Sequence, residues 1–81
     1  MDLDEMAGKI ERMWSVMNGG SASVTVSWQR GTVVATVAGS GVSLSARRGR
    51  LADAVAELYE GARRDAIATL AKHSRRVDDL R

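Results

Sequence analysis

Cysteine is missing from this chain, as are proline and phenylalanine; there is one histidine, and aromatic residues make up 4% of the sequence. Without cysteine, neither a disulfide framework nor a thiolate metal site can form. His73 alone cannot supply a histidine-rich metal cluster within one chain. No metal and no other cofactor is therefore expected. A lack of cysteine also suits a reducing compartment. Long hydrophobic runs are missing too: none approaches the roughly 20 apolar residues of a membrane-spanning helix, so no membrane association is expected. The opening Met1-Asp2-Leu3-Asp4-Glu5 has the wrong charge for a signal peptide, which points to the cytoplasm.

Catalytic patterns are equally scarce. Asp53, Glu57 and Glu60 fall on the outer face of a helical segment, where charges are ordinarily just solvated. No serine lies in a recognisable nucleophile context, so a triad is not supported. Gly39-Ser40-Gly41 lacks the Gly-Lys-Ser/Thr ending of a phosphate loop and reads as a turn. The expectation is a binding protein and not an enzyme.

What remains is 81 residues, enough for one domain with a small core. Folds of this size are usually reinforced by disulfides, a metal or a partner subunit. With the first two excluded, a homo-oligomer is expected. Leu3, Met6, Ile10, Met13 and Met17 recur at spacings of 3, 4, 3 and 4, an apolar seam that predicts a helix over about residues 2–18. That seam either packs on the chain's own sheet and second helix or meets a partner subunit in part. Asn18-Gly19-Gly20 ends it.

From Ser21 the period changes to two. Ala22, Val24, Val26 and Trp28 alternate with serine and threonine, predicting a strand over about residues 21–28 with one packed and one solvated face. Gln29-Arg30-Gly31 is a hairpin turn. A second strand over about residues 32–38 and a short third one over about residues 42–45 complete an antiparallel meander. Its edges need protection, which a second copy of the sheet could supply. A long helix follows over about residues 50–79. Its stripe is Leu51, Val55, Leu58, Ala62, Ala66, Thr69, His73, Val77 and Leu80, with Ala52, Ala56, Tyr59, Ile67 and Leu70 beside it. Such a helix outreaches three strands, so its C-terminal half must project or pair. The predicted class is α+β, a dimeric α-β-β-β-α domain.

Net charge is only +2, but it is unevenly spread. Residues 19–50 hold no acid and carry Arg30, Arg47, Arg48 and Arg50. Arginine dominates the basic residues, and its planar fork suits phosphate or carboxylate. Arg47, Arg48 and Arg50 are expected at the junction between the third strand and the last helix. Cations there oppose the helix dipole, whereas an anion such as a DNA phosphate would be held by the arginines and the free helix N–H groups together. The plainer alternative is an exposed solubilising cluster. Arg63-Arg64 and Arg75-Arg76 add two basic steps along the helix, where neighbouring Glu60, Asp65 and Asp78 offer salt bridges instead.

This order of features resembles the YbaB/EbfC family of bacterial nucleoid-associated proteins. The matching stretches are the Met-rich first helix, Ser27-Trp28-Gln29-Arg30-Gly31-Thr32-Val33-Val34-Ala35-Thr36-Val37, and Leu51-Ala52-Asp53-Ala54-Val55 leading to Ala62-Arg63-Arg64-Asp65-Ala66. The resemblance implies a domain that dimerises through its sheets, with its helices projecting as paired arms that bind double-stranded DNA. By position it implies DNA contacts from Lys9, Arg12, Arg63, Arg64, Lys72, Arg75 and Arg76. The dimer interface is expected on the seam residues Met6, Ile10 and Met13 and the strand residues Val24, Val26, Trp28, Val33 and Val37. The first helix departs from the family pattern in being net acidic. Shorter relatives occur in actinobacteria, and some look associated with specialised secretion systems. The expected function is thus a cytoplasmic, nucleoid-associated homodimer that contacts DNA phosphates with little sequence preference. A protein-interaction or adaptor module, linked to secretion, is the alternative.

Overall fold

The computed structural model describes residues 2–79, and side chains for residues 2–72. Helix α1 spans Leu3–Asn18. Asp2 caps it: its extended backbone (φ −81°, ψ 170°) lets the carboxylate accept the Glu5 N–H at 2.8 Å. Asp4 and Glu5 in the first turn also face the positive end of the helix dipole. At the other end Gly19 takes φ 72° and donates its N–H to the Ser15 carbonyl at 2.9 Å, a left-handed stop that glycine adopts without a Cβ penalty.

Strands β1 (Ser23–Gln29), β2 (Thr32–Gly39) and β3 (Val42–Arg48) form an antiparallel sheet in the order β1-β2-β3. Both connections are two-residue turns with positive φ at each central residue, Arg30 (50°) with Gly31 (78°) and Ser40 (56°) with Gly41 (79°). That conformation matches the right-handed twist of the flanking strands. The register stacks Trp28, Val33 and Arg48 in one row, Val26, Ala35 and Ala46 in the next, and Val24, Val37 and Leu44 in a third. Side chains alternate along a strand, so these rows share one face. The intervening rows, such as Thr25, Thr36 and Ser45, make the other.

Helix α2 spans Leu51–Asp79, about 43 Å at the usual rise per residue. Both helices pack on the valine face, giving two layers. The core consists of Ile10 and Trp14 from α1, Val33, Ala35, Val37 and Ala46 from the sheet, and Ala54, Val55, Leu58 and Ala62 from α2. Ile10, Leu58 and Val37 are fully buried, each contributing about 1.5–3 kcal/mol of transfer free energy. Trp14 keeps its polar atom satisfied by donating Nε1–H to the Val42 carbonyl at 3.1 Å. Gly61 lets α2 sit close on the sheet, since a Cβ there would lie 3.1 Å from Leu44 Cδ2. Gly39 is tighter still, its Cβ position lying 2.8 Å from the Ser21 carbonyl oxygen. Past Ala62 the helix outruns the sheet, and the molecule measures 53 × 21 × 20 Å.

The α-β-β-β-α order and the meander are as the sequence predicts. The third strand differs, continuing to Arg48 instead of stopping at Ser45. Ala46 is buried beneath α2, and Arg47 and Arg48 pair with Val34 and Val33. On α2 the buried stripe includes Ala54, while Ala52, Ile67 and Leu70 from the neighbouring band stay exposed. The expected positions of His73, Val77 and Leu80 lie outside the described side chains. No helix among the described residues is long and apolar enough to cross a membrane.

Candidate functional site

The basic residues do not gather where the sequence suggests. Strand geometry sends consecutive side chains to opposite faces, so Arg47 and Arg48 separate. Arg47 stands on the open face beside Ser27 and Val34. Arg48 turns to the helix side, where its guanidinium grips Glu57 with two bonds, Nε to Oε2 at 3.2 Å and Nη2 to Oε1 at 2.9 Å. Arg50 alone is at the start of α2, its carbonyl accepting the Ala54 N–H at 3.0 Å. The expected three-arginine cluster at the helix N-terminus is therefore dispersed, because β3 takes in two of its members.

On the helices, Lys9 and Arg12 are exposed on α1, and Arg63, Arg64 and Lys72 on α2. Arg63 lies 4.0 Å from Glu60. Arg64 lines a shallow groove with Arg47, Glu57 and Glu60. The side chains of Arg75 and Arg76 lie outside the described residues. Helix-borne cations and carboxylates thus interleave.

The sheet is different. Every side-chain carboxylate belongs to α1, its cap or α2, and none to the strands or their turns. The open face offers Ser23, Thr25, Ser27, Gln29, Thr32, Thr36, Ser43 and Ser45, with Arg47 among them. Arg30, outside the candidate set that the sequence suggests, is exposed in the turn at one end of this face. Thr36 and Ser45 share a hydroxyl hydrogen bond of 2.9 Å. The result is a surface of hydroxyl and amide groups around Val34 and Ala38, with no acid of its own; at its rim Arg47 shares a groove with Glu57 and Glu60 of α2.

Of the expected interface residues, Ile10, Val33 and Val37 are buried in the chain's own core, because both helices cover that face of the sheet. Met6, Met13, Val24 and Val26 pack against the core while remaining partly exposed. Trp28, on the same face at the end of β1, is 66% exposed.

One feature has no signal in the basic residues at all. Where α2 leaves the sheet, α1 lies beside it, and Thr69 Oγ1 lies 3.8 Å from Met17 Sδ. The two helices frame a groove of about 420 Å³ lined by Arg12, Met13, Val16, Met17, Ala66, Thr69 and Leu70. Val16 is 84% and Leu70 65% exposed. The seam period runs through Met13 and Met17, yet Val16 lies off it, so periodicity does not reveal the groove. Among the described residues, no three His, Cys, Asp or Glu side chains converge to hold a metal ion. No family model, curated protein or solved structure matches this chain.

Proposed function

We propose that this protein is a non-enzymatic, homodimeric DNA-binding protein of low sequence specificity, of the nucleoid-associated type that the sequence resembles. The observation that carries this reading is the segregation of charge. Carboxylates are confined to the helical layer, which leaves the strands and their turns with arginine, hydroxyl and amide donors and no acid. Such groups hold phosphate oxygens and confer position, not base readout. The α-β-β-β-α architecture supports the same reading, being the arrangement that the resemblance implies. Lys9, Arg12, Arg64 and Lys72 would extend the contacts from the helices. Arg48, paired with Glu57, is left out of this set, and Arg63 lies 4.0 Å from Glu60.

Affinity for duplex DNA is expected to fall steeply with salt, as counterion release requires. Fluorescence anisotropy across a salt series tests it. Arg47→Ala should lower the slope of log affinity against log salt by about 1 for each protomer in contact with the duplex, equally for unrelated duplexes. A folded protein with no affinity for any duplex at low ionic strength would sink the proposal. The inter-helical groove favours a second reading, an adaptor that binds an apolar segment of another protein. There, Leu70→Glu should abolish a stoichiometric complex that retains no nucleic acid.

A further inference from the structure

We infer that the groove between α1 and α2 receives one amphipathic helix of a partner protein, acidic along the flank that faces α1. The inference rests on the adaptor reading of that groove and names the partner's chemistry.

The walls determine the occupant's backbone. All the described residues that line the groove belong to α1 or α2, and none to a strand. The one hydroxyl among them, on Thr69, already faces Met17 Sδ at 3.8 Å. An extended segment laid here would leave its own N–H and C=O groups short of partners. A helix satisfies those groups internally and offers an apolar stripe instead. Met13 and Met17 suit such a guest, because their unbranched side chains repack around the stripe that is presented. Val16 and Leu70 form the exposed lips on either side. Ile67, three residues before Leu70 and 57% exposed, extends the apolar lip on α2.

The rim determines its charge. Arg12 is the one charged residue among the described residues that line the groove, and neither ion pair among the described residues involves it. Lys9 precedes Met13 by four residues and Val16 by seven, which sets it over the same wall. Glu5 lies a further turn back, away from the groove. The lip on α1 is therefore basic, whereas the lip on α2 is Ile67 and Leu70. Carboxylates along one flank of a guest helix would meet Arg12 while its stripe covers Met13, Val16 and Leu70.

The same charges disfavour a second copy of this chain. The exposed apolar residues of its own helices, Val16, Ile67 and Leu70, are bordered by Arg12, Arg63 and Arg64, with only Glu60 among them. Seating them in the groove would set cation against cation, a mismatch that interfaces use to reject wrong partners.

Labelled synthetic helical peptides test the inference against the full chain. They share one leucine stripe and differ along one flank, which carries glutamate, glutamine or lysine. Fluorescence anisotropy should rank their affinities in that order, the glutamate peptide binding at least about tenfold more tightly than the lysine one. Arg12→Glu should reverse the order. Val16→Gln combined with Leu70→Gln changes exposed positions only, and should weaken the glutamate peptide by about tenfold or more while circular dichroism stays that of the wild type. Equal affinity for the three peptides overturns the acidic partner and leaves the adaptor reading standing. Tight glutamate binding that survives Arg12→Glu or the paired glutamines overturns the site. If no peptide binds, the inference and the adaptor reading fall together.

Discussion

The two faces of the sheet are built from alternate residues of the same three strands, yet they share almost no chemistry. Under the helices lie Val33, Ala35, Val37 and Ala46, buried and apolar; one residue away on either side stand Thr32, Val34 and Thr36, half-buried, and Ser45 and Arg47, exposed. A slip of one residue would exchange the faces completely. The alternation that seals the core therefore also keeps the hydroxyl- and arginine-bearing surface intact. The helices complete the division by carrying every carboxylate.

The largest expected effect comes from opening the covered side. Leu58→Ala empties a fully buried position and should cost about 2–5 kcal/mol, read from the midpoint of urea unfolding; a loss below about 1 kcal/mol would mean that α2 does not seal this face. A sharper comparison uses two adjacent residues of β2. Val37→Thr preserves shape but buries a hydroxyl, and should cost about 1–3 kcal/mol. Thr36→Val on the open face, losing only the bond shared with Ser45, should change stability by no more than about 0.5 kcal/mol. Equal effects at the two positions would dissolve the distinction between the faces. The smallest change is at the rim: Arg48→Ala breaks an ion pair whose partners are about half exposed. It should cost about 0.2–1 kcal/mol, diminishing as salt is added.

Most of the fold was legible because each segment announces its own period. The seam of Leu3, Met6, Ile10, Met13 and Met17 marks α1, and the valines at alternate positions mark β1 and β2. The end of β3 was hidden for a physical reason. Ala46 is too small to stand out as a core residue, and two arginines look like loop until the ladder to Val33 and Val34 claims them. The same cause disperses the expected arginine cluster. A run of arginines reads as one cluster in sequence, but a period of two splits it between faces. Likewise Ile10, Val33 and Val37 could have met a partner or the chain's own helices. Apolar alternation says that a face is covered without saying by what. The inter-helical groove, formed by residues some 50 positions apart such as Met17 and Thr69, had no local signature.

The meander has a kinetic consequence. Each strand pairs only with its neighbour in the chain, across turns whose left-handed residues favour the hairpin before any tertiary contact exists. Little loop-closure entropy has to be overcome before the ladders begin to form, and pairing of this local kind belongs to fast-folding topologies. The remaining long-range step is the docking of α1 against α2, where Trp14 and Ile10 meet Leu58 and Ala62 in one cluster. With no proline anywhere in the chain, no X-Pro isomerisation can hold refolding back to the scale of tens of seconds.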